Sequence, residues 1–259
     1  MRYCKFEKDG VAQYALVEER GGELWAVRAM TPPVEDAGAR AATFEPMPLA
    51  RLRLLAPVRP SKIVCVGRNY KEHAAEMGSD LPAEPLLFLK PPSALLAPGA
   101  AIRRPAQSQR VDFEGELGIV ISKRCFQIGE GDVRQYIRGY TCVNDVTARD
   151  LQKSDGQWAR AKGFDTFCPV GPVVTDEVDA ISDALRVTTE LNGVTKQSGS
   201  TGDLIFPVAE LLRYITAAMT LEAGDLISTG TPAGIGPMQA GDVVRVSVGG
   251  IGSLENPVV

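Results

Sequence analysis

The chain has 259 residues, 28 of them basic and 32 acidic, and its net charge of −4 without a basic block argues against nucleic-acid binding. No apolar run is long enough to span a bilayer, and the first ten residues lack an apolar signal-peptide core, which excludes a membrane role and predicts a cytoplasmic protein. The five cysteines lie far apart without a C-x-x-C motif, so free thiols in a reducing compartment are expected.

The N-terminal part of the chain predicts a small β-rich domain over residues 1–58. The stretch "YALVEERGGELWAVRA" contains two strand-like runs on either side of Gly21-Gly22, which is the pattern of a β-hairpin. Residues 31–60 hold several prolines and an alanine-rich stretch, and predict loop or linker. A second and larger domain is therefore expected over residues 59–259.

The second domain opens with a strand, a short helix and a strand. "KIVCVG" and "PLLFLK" are short apolar runs typical of buried strands. Between them, "NYKEHAAEMG" predicts a helix with Asn69 as its N-cap and Gly78 just past its end. This helix contains His73, the single histidine of the chain, which excludes a histidine-rich metal site within one chain.

From residue 111 onward, strands dominate the pattern. Strands are predicted over 111–122, 139–145 and 169–174, with a hairpin around Asn192-Gly193 and strand-like "GDLISTG" and "DVVRVSVGG" near the end. One longer helix, "FPVAELLRYITAAM", starts at Pro207 and has an apolar stripe. Because strands and helices do not alternate regularly, the expected class is a β-rich α+β fold rather than a doubly wound sheet.

Three carboxylates are candidates for a metal site. Glu114 and Glu116 lie in "VDFEGELGIVI", whose period-two pattern places both on one side of a strand, and Asp145 ends the strand-like "GYTCVND". A solvated sheet face and a helix N-cap at Asp145 are the alternative interpretations. If the three acids are buried together, they form a hard oxygen site that suits Mg²⁺, Mn²⁺ or Ca²⁺.

Other candidate groups are open to two interpretations each. His73 and Glu76 are three residues apart and share a helix face, either as a surface pair or as a dyad in which the carboxylate orients an imidazole that activates water. Lys90 ends an apolar run and points either into a cleft or out. The glycine-rich "STGTPAGIGPM" lacks the spacing of a nucleotide site, but its backbone N–H groups and Thr231 are able to hold a carboxylate.

The order of motifs resembles the fumarylacetoacetate hydrolase family over about residues 60–250. Seven matching stretches occur in family order: "KIVCVGRNYKEHAAEMG", "PLLFLKPPSAL", "VDFEGELGIVI", "GYTCVNDVTARDLQ", "AKGFDTFCPVGPVV", "LNGVTKQSG" and "GDLISTGTPAGIG". The resemblance implies a mixed β-sandwich roll around a divalent metal ion, a small β-rich N-terminal extension as in some members, and a homodimer.

The resemblance also implies roles for individual residues. Glu114, Glu116 and Asp145 match the metal ligands, His73 and Glu76 match the water-activating dyad, and Lys162 matches the lysine that stabilises negative charge. The substrate-pocket positions are matched by Arg68, Tyr70, Lys90, Gln152 and Thr231. Gly163 stands where relatives often have serine, which leaves the hydrogen bonding at that point open.

The function implied is metal-dependent chemistry on a small 2-oxo acid or its enol. The intact pair of His73 and Glu76 favours hydrolysis of a C–C bond in an acylpyruvate-type substrate through an enolate. Isomerisation of 2-hydroxyhepta-2,4-diene-1,7-dioate in aromatic catabolism and decarboxylation of an oxaloacetate-type substrate are the alternatives within the family. A homologue that binds a metabolite without turnover is the alternative of another class.

Overall fold

Short β-strands are the main secondary structure of this protein, whose computed structural model describes residues 1–33, 36, 39, 44–76, 78 and 80–259. The N-terminal half contains β1 Arg2–Lys8, β2 Val11–Arg20, β3 Glu23–Met30, β4 Met47–Pro48, β5 Arg53–Leu55, β6 Ile63–Gly67, β7 Leu86–Lys90, β8 Leu95–Leu96, β9 Val111–Phe113 and β10 Gly115–Ile121. The C-terminal half contains β11 Ile137–Asn144, β12 Thr147–Ala148, β13 Cys168–Thr175, β14 Arg186–Leu191, β15 Val194–Ser200, β16 Leu226–Ser228, β17 Gly236–Pro237, β18 Val243–Val248 and β19 Gly252–Pro257.

Helices are few and short. The α-helices of the described residues are α1 Lys71–Glu76, α2 Arg149–Asp155, α3 Ala159–Gly163 and α4 Val208–Ala218. Single 3-10 turns span Leu49–Arg51, Pro92–Ala94, Val133–Tyr136 and Thr201–Asp203. Within the described ranges, no helix has the length and apolar composition needed to cross a membrane.

The largest sheet has twelve strands and includes the N-terminal region. Its main path runs β4-β3-β2-β1-β13-β11-β10-β16-β6-β7, with β5 beside β1 and β8 beside β13. Most neighbours are antiparallel, whereas β16 with β6 and β13 with β8 are parallel. Since Tyr3 of β1 lies opposite Val174 of β13, the first 57 residues continue the sheet of the remaining chain.

Two smaller sheets complete the architecture. A four-stranded antiparallel sheet, β15-β14-β18-β19, packs against the large sheet, and a single apolar core contains Leu117 and Ile119 of β10 together with Val187 and Val246 of the small sheet. The third sheet, β12-β9-β17, has its own apolar cluster. The predicted β-rich α+β class, with a mixed β-sandwich, is confirmed.

Several local predictions are confirmed. Both hairpins form, with Arg20 opposite Glu23 around the first turn and Leu191 opposite Val194 around the second. Helix α4 begins after Pro207 and buries most of its predicted stripe, namely Val208, Leu211, Leu212 and Ile215. The last stripe position, Met219, lies just beyond the helix as its C-cap. All five cysteines are free and buried.

Other local predictions differ from the structure. The region of residues 31–60, expected as loop, includes β4, β5 and a 3-10 turn, while the alanine-rich stretch falls largely outside the described residues. Helix α1 begins at Lys71, and Asn69 does not cap it. The Asn69 side chain accepts from the Phe206 N–H at 2.8 Å and donates to the Phe206 and Thr229 carbonyls at 3.1 and 2.8 Å, which ties the helix to two distant loops.

The predicted strand over 111–122 is two strands that belong to different sheets. Strand β9 ends at Phe113 in the three-stranded sheet, and β10 begins at Gly115 in the twelve-stranded sheet. Glu114 is the residue between them. The chain therefore passes from one sheet to the other at the point where the candidate acids lie.

Candidate active site

Three buried carboxylates converge at this junction between sheets. Glu114 follows β9, Glu116 lies on β10, and Asp145 follows β11; each is less than 5% exposed, with fractions of 4%, 1% and 1%. One carboxylate oxygen from each residue lies within 4.8 Å of the others. The Asp145 N–H donates to the Glu114 carbonyl at 2.8 Å, which fixes the two chain segments side by side. Asp145 does not cap α2, which begins four residues later at Arg149.

Three cationic side chains contact two of these acids. Lys162 donates to Glu114 at 2.8 Å and to Asp145 at 2.5 Å. Lys90 donates to Asp145 and to the Val146 carbonyl, and the Arg149 guanidinium donates to Glu114. Burial alone raises the pKa of Glu114, but the charges of Lys162 and Arg149 outweigh it and hold that pKa well below its usual range. Glu114 is therefore firmly ionised.

Glu116 is in a different position because it has no cationic partner. Its carboxylate accepts from the Ser228 hydroxyl and from the Gly230 N–H, the latter at 2.9 Å, and among the described residues no lysine or arginine pairs with it. Burial, together with repulsion from Asp145 and Glu114, raises the pKa of Glu116 to about 8.

With Glu116 ionised, the charges around the acids balance, because four acids, counting Asp112, are matched by four bases, counting Arg110, which pairs with Asp112. Glu116 is the one of these acids without a direct cationic partner among the described residues. A buried carboxylate without a counter-charge is costly, so a cation beside Glu116 would satisfy the site. Three converging carboxylates without a thiolate or imidazole are the donor set of a hard divalent ion. The residues present thus fit the predicted divalent ion, Mg²⁺, Mn²⁺ or Ca²⁺.

His73 and Glu76 form the predicted pair on α1. The His73 Nδ1 lies 3.1 Å from Glu76 Oε2, and the imidazole is 5% exposed. Glu76 in turn accepts from the Gly234 N–H at 3.1 Å. Because Nδ1 is engaged by the carboxylate, Nε2 is the ring nitrogen left for chemistry.

A cavity of about 220 Å³ brings the acids and the histidine to one space. Its lining includes Glu114, Glu116, Asp145, Lys162 and His73, and also three of the five predicted substrate residues, Arg68, Gln152 and Thr231.

Two predicted substrate residues do not line this cavity. Lys90 is fully buried and donates to the Asp145 carboxylate without lining the cavity itself. Tyr70 lines a separate surface cavity beside Pro232, and its buried hydroxyl has no hydrogen-bond partner among the described residues. The structure thus separates these two side chains from the space that contains the acids.

An aromatic wall, which the sequence did not single out, closes one side of the cavity. Phe88 and Trp158 stack edge to face with ring centroids 5.2 Å apart. The Arg68 guanidinium lies 5.9 Å from the Trp158 ring and Lys162 Nζ lies 5.0 Å from the Phe88 ring. Arg68 has a φ of 56°, a conformation rare outside glycine, and such strain is typical of functional sites.

Arg149 is another residue that sequence reasoning missed. Its guanidinium bridges Glu114, Asp112 and Gln152, the last at 2.6 Å. The available signal was the spacing of Arg149 and Gln152, which are one turn apart on a predicted helix that directly follows Asp145.

The glycine-rich loop after β16 uses its backbone N–H groups as predicted, but on the protein's own carboxylates. Gly230 donates to Glu116 and Gly234 donates to Glu76, so one loop joins the acid triad to the histidine pair. A Cβ at Gly234 would lie 2.0 Å from the Lys196 carbonyl, and its φ is 100°, so glycine is required there. The loop is therefore part of the site's framework.

Comparison with protein families agrees with this arrangement. The family described as "Fumarylacetoacetate (FAA) hydrolase C-terminal" matches residues 62–259, and the one described as "Rv2993c-like, N-terminal" matches residues 1–57. The chain belongs to the fumarylacetoacetate hydrolase family. Members of the family include isomerases, hydrolases and tautomerases, so the chain is similar to enzymes that act on small molecules.

Three members of the fumarylacetoacetate hydrolase family illustrate the range of activities. A solved 2-hydroxyhepta-2,4-diene-1,7-dioate isomerase from Mycobacterium marinum is 44% identical with a TM-score of 0.86, covering 100% of this chain and 98% of that one. The oxaloacetate tautomerase YisK of Bacillus subtilis is 41% identical over 81% of this chain and 74% of its own length. A Pseudomonas aeruginosa fumarylpyruvate hydrolase, solved with Mn²⁺ and pyruvate, is 32% identical with a TM-score of 0.72, over 79% of this chain and 91% of that one.

Proposed function

We propose that this protein is a divalent-metal-dependent hydrolase that cleaves a C–C bond in an acylpyruvate-type 2-oxo acid. The observation that supports it is the His73–Glu76 pair, whose imidazole faces the same cavity as the acid triad. Such a pair is suited to take a proton from water, and the triad is suited to an ion that binds a 2-oxo acid.

The metal would be held by Glu114, Glu116 and Asp145, as Mg²⁺ or Mn²⁺. When bound, the ion supplies Lewis acidity that polarises the 2-oxo group and stabilises negative charge on the substrate. A bound divalent ion would add two positive charges to a centre whose acids and bases are balanced, so the centre would become positive. It would then attract an anion such as the carboxylate of a 2-oxo acid.

The histidine pair would supply the base. Glu76 accepts a hydrogen bond from the Nδ1–H group, so it would fix the tautomer that presents an unprotonated Nε2 to the cavity. The Gly234 N–H holds Glu76 in place. His73 would therefore remove a proton from a water molecule that attacks the distal carbonyl of the substrate.

The remaining cavity residues would bind and orient the substrate. Arg68 and Lys153 line the cavity without a carboxylate partner among the described residues, so both are available to an anionic substrate. Arg68 is held in position by its contact with Trp158. The Phe88–Trp158 wall would limit the entry of water beyond the molecule that reacts.

Enol–keto isomerisation without cleavage is the second candidate. The similarity to the isomerase from Mycobacterium marinum and to the Bacillus subtilis tautomerase favours it. It needs a base that moves a proton on the substrate, and His73 is placed to do this as well. The two candidates differ in whether water is consumed.

A substrate panel in the presence of Mg²⁺ or Mn²⁺ tests the proposal. Fumarylpyruvate and other acylpyruvates are expected to release pyruvate, and EDTA is expected to stop the release. Pyruvate is measured with a coupled dehydrogenase, and tautomerisation of oxaloacetate enol is followed by ultraviolet absorbance in the same buffer. Conversion of enol to ketone without pyruvate release from any acylpyruvate would favour the second candidate.

Lys162→Met is expected to reduce turnover and to make stability depend on metal. Lys162 is 2% exposed and bonds both Glu114 and Asp145, so its loss leaves two buried carboxylates short of a counter-charge. Breaking a buried pair in this way typically costs about 3–5 kcal/mol. Thermal unfolding should show a large deficit in EDTA and a smaller one with saturating Mg²⁺. Lys123→Met, at an exposed lysine that bonds Gln135, is the control. An equal deficit with and without Mg²⁺ would contradict the prediction.

A further inference from the structure

Gln197 on β15 makes contacts that connect the acid-bearing strand to the cavity wall. This side chain is fully buried, and its amide reaches three different groups. Its Oε1 accepts from the Gly115 N–H at 2.9 Å, between the two glutamates of the triad. Its Nε2 donates to the Pro232 carbonyl and to Thr231 Oγ1, both at 2.7 Å.

The orientation of the Gln197 amide is fixed by two backbone groups of known polarity. The Gly115 N–H is a donor, so the atom facing it must be the amide oxygen. The Pro232 carbonyl is an acceptor, so the atom facing it must be the amide nitrogen. A flipped amide would place oxygen against oxygen and two donors against each other. The group that faces Thr231 is therefore an N–H donor.

This orientation, together with the Gly115 carbonyl, determines the direction of the Thr231 hydroxyl proton. Since Gln197 Nε2 has no acceptor capacity, the Thr231 proton cannot point toward it. That proton instead goes to the Gly115 carbonyl, 2.9 Å from Oγ1. A hydroxyl has one proton and two acceptor lone pairs, and one lone pair is used by Gln197. What Thr231 has left for the cavity is a single acceptor lone pair.

We propose that Gln197 is a positioning residue that makes Thr231 an acceptor toward the ligand, so that Thr231 recognises a hydrogen-bond donor such as an enol hydroxyl and not a carboxylate. Thr231 lines the cavity and is 2% exposed, so its lone pair meets the ligand without competition from bulk water. A carboxylate oxygen placed there would face a lone pair and lose its hydration. The glycine-rich loop thus selects the enol form of the substrate at this point.

The inference rests on the proposed function in one respect, namely that small 2-oxo acids enter this cavity. Its test measures only the binding of probes and does not depend on turnover. Oxamate and oxalate are nearly isosteric, and oxamate has an N–H₂ donor where oxalate has an acceptor oxygen. Their Kd values are measured by calorimetry with saturating Mg²⁺. Oxamate and oxalate also differ in net charge. Because this difference is the same for every variant, it cancels when the ratio of the two Kd values is compared between variants. A protein that binds both probes but hydrolyses no acylpyruvate would refute the proposed function and leave this inference standing.

Thr231→Val is the deciding variant because it keeps the shape and removes the hydroxyl. We expect oxamate binding to weaken about three- to tenfold, as for one hydrogen bond, while oxalate binding stays the same or tightens. Thr231→Ser should restore the ratio. If oxalate weakens as much as oxamate, or more, Thr231 does not act as an acceptor and the inference is overturned.

Gln197→Leu tests the positioning role. Without the amide, nothing bridges Gly115 to Thr231 and Pro232, so the contact that keeps the Thr231 proton on the Gly115 carbonyl is loosened. The proton then becomes available to the cavity, and oxalate should gain relative to oxamate. Asn256→Leu is the matched control. Asn256 is a buried amide that donates to the backbone carbonyls of Ala97 and Ala100 at 2.9 and 2.8 Å. None of these three residues lines the cavity. It should lower the melting temperature and leave the ratio unchanged. A Gln197→Leu protein that keeps the original ratio would overturn the positioning role.

Discussion

Replacing Glu116 by glutamine is expected to abolish turnover and to weaken Mg²⁺ binding by more than about 100-fold. Groups that merely support a metal ligand are typically worth 10- to 100-fold in metal affinity, so loss of a ligand charge should cost more. Glu116 is the decisive choice among the three acids, because Glu114 and Asp145 are also bonded to lysine or arginine. Their replacement would disturb ion pairs as well as the metal.

The same substitution should stabilise the protein when metal is absent. Glutamine keeps the size and the bonds from Ser228 and Gly230. It removes a group whose pKa is raised to about 8, so that above the ordinary carboxyl pKa folding must either take up a proton or bury an unpaired charge. The melting temperature in EDTA should therefore rise, and the increase produced by Mg²⁺ should disappear. Glu18→Gln, at a side chain that is 59% exposed, is the control for loss of one acid. A Glu116→Gln protein that Mg²⁺ still stabilises as much as the unchanged protein would show that the ion is bound elsewhere.

The arrangement at the sheet junction explains why one small loop affects so many groups. The loop after β16 donates through Gly230 to Glu116 and through Gly234 to Glu76, and it presents Thr231 to the cavity. Gln197 holds this loop against Gly115. The acid triad, the histidine pair and the ligand-facing hydroxyl are therefore fixed by one connected set of hydrogen bonds, as a site that must be preorganised requires.

The fold class and the hairpins could be predicted because their signals are local. A Gly-Gly or Asn-Gly pair between alternating runs defines a hairpin within about ten residues of sequence. The break at Glu114 could not be predicted, since the apolar alternation continues through it from Val111 to Ile121. What divides the strand is its pairing, with Asp112 opposite Thr147 and Gly118 opposite both Thr141 and Ser228. Those partners are far away in sequence.

The candidate site also divides into features that the sequence predicts and features that depend on contacts between distant residues. The convergence of Glu114, Glu116 and Asp145 could be predicted from residue chemistry, from strand ends and from the family resemblance. The role of Lys90 could not, because an apolar run that ends in lysine does not reveal which side of Asp145 the amine occupies. Gln197 is 82 positions from Gly115 and 34 from Thr231, and its amide has meaning only once both are in contact with it.

Replacing His73 by asparagine is expected to reduce C–C hydrolysis by about 10²- to 10⁴-fold, the usual contribution of a general base. His73 is the only imidazole of the chain, so no second histidine is available to substitute for it. Mg²⁺ should still raise the melting temperature of His73→Asn, because the acid triad is intact. Stopped-flow or steady-state pyruvate release measures the loss.

Glu76→Gln should also lower hydrolysis, and the double variant should fall short of the sum of the two losses because the residues act as a unit. Glu72→Gln, at an exposed acid one turn earlier on the same helix, is the matched control and should leave the rate unchanged. Additive losses would show that Glu76 acts independently of the imidazole, against the 3.1 Å contact between Nδ1 and its carboxylate.

Exchange of the substrate's C3 protons with deuterium separates the two proposed activities. If His73 serves only to activate water, exchange in the presence of Mg²⁺ should survive in His73→Asn while hydrolysis is lost, since enolisation does not consume the water molecule that the base activates. If exchange and hydrolysis fall together, His73 moves a proton on the substrate itself, and isomerisation becomes the better assignment. Hydrolysis at the unchanged rate in His73→Asn would exclude the imidazole from the reaction altogether, because the chain has no other.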